Sequence, residues 1–130
     1  MASTYLDSSA IVKLAVQEAE SDALRRHLGR RRSLVSSALA RAEVLRALLG
    51  GGEASLLAGH RVLARVDFVR VNDRVLSAAG TLLPTELRTL DAIHLATAQQ
   101  LGSDLHHLVT YDDRMTHAAR TLGIRTAAPS

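Results

Sequence analysis

The chain has 130 residues, 47% of them hydrophobic but only 2% aromatic, and no cysteine. One compact domain (1–130) with an aliphatic core is expected, and disulfides, thiolate metal sites and cysteine nucleophiles are excluded. The formal charge of +3 is carried almost wholly by arginine, with Lys13 the sole lysine, which suits a polyanionic partner without demanding one.

No apolar run reaches the ~20 residues that span a bilayer, and no basic, apolar leader opens the chain. A soluble, cytoplasmic protein with no membrane association is therefore the expectation. In chain order, Thr4–Leu6 predicts a short buried strand, and Ser8 or Ser9 a cap for a helix over Ala10–Glu18. Ser21 is expected to cap a second helix that Gly29 stops after Leu28. Ser33–Val35 predicts a second strand, and Ser36 and Ser37 open a helix to about Leu49, ended by Gly50–Gly52. A helix over Glu53–Val66 and a strand over Phe68–Val71 follow, then a helix capped by Asp73 that breaks near Pro84. Thr89 starts a helix over Leu90–Leu101, His107–Thr110 is a strand, Asp112–Leu122 a helix, and Ile124–Thr126 a final strand. Strands alternating with helices predict an α/β fold with a central parallel sheet of about five short strands, covered by helices.

Four carboxylates stand beside apolar residues: Asp7 after Tyr5-Leu6, Glu43 in an Ala- and Leu-rich stretch, Asp91 within Leu90-Asp91-Ala92-Ile93, and Asp112 after Leu108-Val109-Thr110-Tyr111. A charge beside buried surface is costly unless paired. Asp7 and Asp112 fall at the carboxyl ends of predicted strands, where open α/β sheets gather functional groups. Asp91 falls in the first turn of a helix, where the dipole favours an anion. If the four converge, each pair at about 5 Å repels by roughly 3 kcal/mol at an effective dielectric near 20. A divalent cation removes that conflict, and an oxygen-only ligand set favours Mg²⁺ or Mn²⁺ over Zn²⁺. Taken singly, Asp7 and Asp112 also read as helix caps, Asp91 as a helix-start charge, and Glu43 as the partner of Arg46 on a solvated face.

The segments Thr4–Lys13 (TYLDSSAIVK), Arg41-Ala42-Glu43-Val44, Leu90–Ala96 (LDAIHLA) and Val109-Thr110-Tyr111-Asp112 together resemble the four acidic segments of PIN-domain proteins, in the order and spacing of the compact VapC toxin branch. The resemblance implies a three-layer α/β/α sandwich. It implies a Mg²⁺- or Mn²⁺-dependent endoribonuclease, the toxin of a type II toxin–antitoxin pair, neutralised by a VapB-type antitoxin and usually a homodimer. Matched position by position, Asp7, Glu43, Asp91 and Asp112 become metal-binding and catalytic acids, with Ser9 and Thr110 supporting them. Water activated by the cation would then attack the RNA phosphodiester in line. Many relatives carry a further acid where this chain has Arg114; the adjacent Asp113 is a candidate substitute and supporting residue, although its side chain is expected to point elsewhere.

Arg88 and Arg114 are candidate contacts to RNA phosphate. Arg25, Arg26, Arg30, Arg31 and Arg32 form a basic cluster that reads as a solvated helix end before it reads as a phosphate site. His94, one turn from Asp91, is expected to be a hydrogen-bonded structural histidine, and His106-His107 to be structural as well. Leucines flanking the glycine joint belong to the core or, as the resemblance implies, to a dimer or antitoxin face. Among rival functions, an aspartyl phosphatase needs a second Asp where Ser9 stands, and a receiver domain needs an acidic pair and a late lysine. A non-catalytic PIN-like binding module is the stronger rival.

Overall fold

The structure, a computed structural model, describes residues 2–31 and 33–130; Arg32 of the basic cluster lies outside the described residues. The elements run β1 (Ser3–Leu6), α1 (Ser8–Ala15), α2 (Ser21–Leu28), β2 (Leu34–Ser37), α3 (Leu39–Leu48), α4 (Glu53–Leu63), β3 (Asp67–Val69), α5 (Asp73–Gly80), α6 (Thr89–Gln100), β4 (Leu105–Val109), α7 (Asp113–Thr121) and β5 (Thr126–Ala127). Short 3₁₀ turns at Leu49–Gly51 and Gly102–Asp104 join α3 to α4 and α6 to β4.

All five strands pair in parallel, in the order β3-β2-β1-β4-β5. Alternation along each strand distributes the core to two faces. Leu6, Leu34 and Val109 point into one cluster, with Ile11, Leu24, Val44 and Val62 from α1 to α4. Tyr5, Val35 and Leu108 point the other way, onto Leu95 of α6 and Met115 and Ala118 of α7. Val75 of α5 packs outside α6 on Ile93 and Ala96. Helices therefore cover both faces, which makes the three-layer α/β/α sandwich expected from the sequence. The order reverses between β1 and β4, so their carboxyl ends diverge into a crevice, the usual place for a ligand in such sheets.

Several boundaries differ from the sequence reading, each for a local reason. Ser36 and Ser37 extend β2 instead of opening a helix, because they pair with Phe68 and Val69 of β3. The helix then begins at Leu39, whose N–H bonds Ser37 Oγ at 3.2 Å. Asp7, not Ser8 or Ser9, caps α1, accepting from Ala10 N at 3.0 Å. α1 stops at Ala15 because Val16 turns extended. Ser21 does not cap α2; its hydroxyl braces the preceding turn, accepting from Glu18 N and donating to the Val16 carbonyl. Asn72 rather than Asp73 caps α5, accepting from Val75 N at 3.0 Å. Among the described residues, no helix is long and apolar enough to cross a membrane.

Candidate active site

The cleft at the carboxyl ends of β1 and β4 is built from four segments. Asp7 leaves β1, with its N–H bonded to the Val109 carbonyl of β4 at 3.2 Å. It is 3% exposed, and three donors converge on its carboxylate: Ser9 Oγ and Ala10 N on Oδ1 at 2.6 and 3.0 Å, and Thr110 Oγ1 on Oδ2 at 2.5 Å. Burial nevertheless pushes its pKa up; the bonds from Ser9, Thr110 and Ala10 and the nearby His94 work against that rise. An ionised carboxylate offers about four lone-pair sites, so one on Oδ2 stays open.

Thr110 ties the two strand-end acids together. It donates to Asp7 and accepts from Asp112 N at 3.1 Å. Asp112 in turn caps α7 through Oδ1, which accepts from Arg114 N and Met115 N at 2.8 and 3.1 Å. Its Oδ2 is left for the cleft. There the Arg88 guanidinium bridges two acids, with Nε 3.1 Å from Asp91 Oδ2 and a terminal nitrogen 3.2 Å from Asp112 Oδ2. The bond to Asp91, with the charges of both acids, holds Arg88 more firmly protonated than usual. Its side chain is two-thirds exposed.

Glu43 projects from α3 toward the same cleft, where it lines one hollow with Arg88 and Asp91 and an adjacent one with Ser8, Ser9, Lys13 and Tyr111. It does not pair with Arg46 on a solvated face. Ser8 Oγ donates to Oε1 at 2.5 Å, and His94 Nε2 lies 2.7 Å from the same oxygen. Burial works to raise the Glu43 pKa, but these two bonds and the His94 ring outweigh it and hold the carboxyl below its ordinary range. Oε2 has no hydrogen-bond partner among the described residues.

The structure thus brings Asp7, Glu43, Asp91 and Asp112 to one cleft, with Ser9 and Thr110 bonded to Asp7. Among the described residues, no group of three or more acidic or imidazole side chains is placed to hold a metal ion; the Arg88 guanidinium lies between Asp91 and Asp112. The donor set, all oxygen and no sulfur, fits a hard divalent ion. Asp113 and Arg114 lie to one side, lining an apolar hollow with Pro84, Leu87 and His117. Arg25, Arg26, Arg30 and Arg31 of the basic cluster sit at the other end of the sheet. There His27 of α2 bonds His107 of β4, and Arg25 pairs with Asp22. Sequence reasoning missed Ser8 and Tyr5. Ser8 read as a helix cap, and nothing in the local pattern shows a strand tyrosine reaching His94 Nδ1 at 2.7 Å.

Comparison with known proteins identifies the family. A PIN-domain family profile matches residues 4–121. The chain belongs to the PIN-domain family. Within that family it is 68% identical to Ribonuclease VapC46 of Mycobacterium tuberculosis over the full length of both chains. It is 44% identical to Ribonuclease VapC35 of the same species, with 96% of each chain covered, and so is a VapC-type member. Two solved structures share the fold. M. tuberculosis VapC20, described as a sarcin–ricin loop cleaving toxin, superposes with a TM-score of 0.74 at 17% identity, covering 89% of this chain and 95% of that one. A toxin–antitoxin complex from Klebsiella pneumoniae gives 0.73 at 16%, covering 98% of both.

Proposed function

We propose that this PIN-domain chain is a Mg²⁺- or Mn²⁺-dependent endoribonuclease, the toxin of a type II toxin–antitoxin pair. The observation that carries the reading is the meeting of Asp7, Glu43, Asp91 and Asp112 at the β1/β4 crevice, where a guanidinium already bridges two of them. The high identity to proteins named ribonucleases supports the chemistry. The Klebsiella complex supports an antitoxin partner, and a homodimer is the expected assembly.

Asp7, Asp91 and Asp112 would hold the cation, with Glu43 completing the set. When bound, the ion supplies Lewis-acid stabilisation of a phosphodiester and activation of water. The protein's own groups do the rest. Ser9 and Thr110 fix both oxygens of Asp7, and Thr110 carries that restraint to the Asp112 backbone. Glu43, held ionised by Ser8 and His94, can orient the attacking water and accept its proton. Arg88, with donors to spare on an exposed fork, is placed to take an RNA phosphate, and Arg114 stands one side of it.

The test is RNA cleavage by the wild type, Asp7→Asn and Asp91→Asn, each with Mg²⁺, Mn²⁺ or EDTA. The wild type should cut only with metal, and both variants should be inactive. RNA binding without metal-dependent products would favour a non-catalytic module instead.

A further inference from the structure

His94 is 2% exposed, buried within α6, where a polar ring needs partners on both nitrogens. It has them. Tyr5 Oη lies 2.7 Å from Nδ1, and Glu43 Oε1 lies 2.7 Å from Nε2. Tyr5 Oη itself accepts from Ser37 N at 3.1 Å, which leaves the phenol hydrogen for the imidazole. The ionised Glu43 carboxylate can only accept, so Nε2 carries the hydrogen that reaches it. Burial raises the Tyr5 pKa, so the phenol keeps its hydrogen. The two rings meet edge to face, with centroids 5.8 Å apart and planes at 82°, which restrains the imidazole in a second way. A chain of oriented bonds thus runs from the backbone of β2, through β1 and α6, to one oxygen of a carboxylate on α3.

Glutamate has three rotatable side-chain bonds, and a partly exposed one at a cleft rim samples several rotamers unless held. We infer that His94, backed by Tyr5, is a positioning residue that fixes Glu43 through Oε1 so that Oε2 stands ready for the cation. The inference rests on the cleft being a divalent-cation site, as proposed above. Hydrogen-bonded partners behind ligating carboxylates commonly govern metal affinity by about 10- to 100-fold. Without His94, only Ser8 still holds Glu43.

The experiment is Mn²⁺ binding to the RNA-free protein, by calorimetry or spin-resonance titration, alongside metal-free thermal unfolding. His94→Leu should weaken Mn²⁺ by about tenfold or more. His94→Gln, whose amide nitrogen can stand where Nε2 stood, should restore most of that loss. Tyr5→Phe keeps the ring and its packing but removes the hydroxyl, and should fall between wild type and His94→Leu. Wild-type affinity in His94→Leu overturns the inference, as does a His94→Gln variant no better than His94→Leu. If His94→Leu does not fold, Tyr5→Phe decides alone, and undiminished affinity there overturns it. Asp7→Asn separates the two levels. If it binds Mn²⁺ as the wild type does, the cation-site reading fails. If it loses Mn²⁺ while the His94 variants keep it, only the positioning role fails.

Discussion

At the amino-terminal end of the sheet, away from the acids, three imidazoles form a chain. His27 Nε2 lies 2.8 Å from His107 Nε2, and His106 Nδ1 lies 2.8 Å from His107 Nδ1. His107 is 3% exposed. Burial, then the charges of Arg31, His27, His106 and Arg125, push its pKa down from 6.5 to about 4. A folded pKa below the unfolded value means that the unfolded chain takes up a proton the native state refuses. Stability is therefore full above about pH 6.5 and is lost as pH falls toward 4. At ~1.4 kcal/mol per pH unit, the separation amounts to roughly 3 kcal/mol, trimmed to about 2–3 by the solvent that reaches His27 and His106. His107→Gln keeps one donor and one acceptor for its neighbours and does not titrate in this range. Guanidinium unfolding at pH 7, 5.5 and 4 measures the difference. The wild type should lose about 2–3 kcal/mol more than the variant between pH 7 and 4. Parallel losses in the two proteins would refute the argument, because they would place the acid sensitivity elsewhere.

Three further outcomes are expected. Burial raises the Asp7 pKa, so its favourable contribution is present below the unfolded value and lost as pH rises through the folded one. Asp7→Asn should accordingly be no less stable than the wild type in EDTA at neutral pH by thermal unfolding, while RNA cleavage falls by about two orders of magnitude or more. Arg88→Ala removes the guanidinium that bridges Asp91 and Asp112. It should tighten Mn²⁺ in the RNA-free protein, yet weaken RNA binding and lower its salt-dependence slope by about one; weaker Mn²⁺ binding would count against the bridge. Asn72→Ala removes the α5 cap and should cost about 1 kcal/mol in denaturant unfolding with cleavage unchanged.

How much of this was legible depended on the range of the forces involved. Alternating segments announced the parallel sheet, and acids after apolar runs announced the crevice, because both are local consequences of burial. Ser36 and Ser37 could not be read the same way. Serine before an apolar helical stretch is a cap by local rule, and only the arrival of β3 turns it into strand. Ser8 likewise has a local reading, and its bond to Glu43 spans 35 positions. Tyr5 and His94 are 89 positions apart. Each is an ordinary buried residue until the sheet and α6 set them face to face. The Glu43–Arg46 alternative had helical spacing in its favour, but the helix turns Glu43 inward, onto Ser8 and His94.

A cleft with four carboxylates must fold against their mutual repulsion. The acids do not share one remedy. Asp7 is met by three neutral donors, Glu43 by a hydroxyl and an imidazole, and Asp91 and Asp112 by a single guanidinium. Asp7 and Asp112 also lie at helix amino-termini, where the dipole offsets part of a negative charge. A cap and a place in the cleft are therefore compatible: in Asp112 one oxygen stabilises the helix, and the other faces the cleft. Of these remedies, among the described residues, the Arg88 bridge is the one made by a largely exposed side chain. The buried donors hold their acids in place whatever else enters the cleft. On the proposed function, Arg88 is the partner that a cation would displace without disturbing the core, and it would remain beside the acids to meet an RNA phosphate.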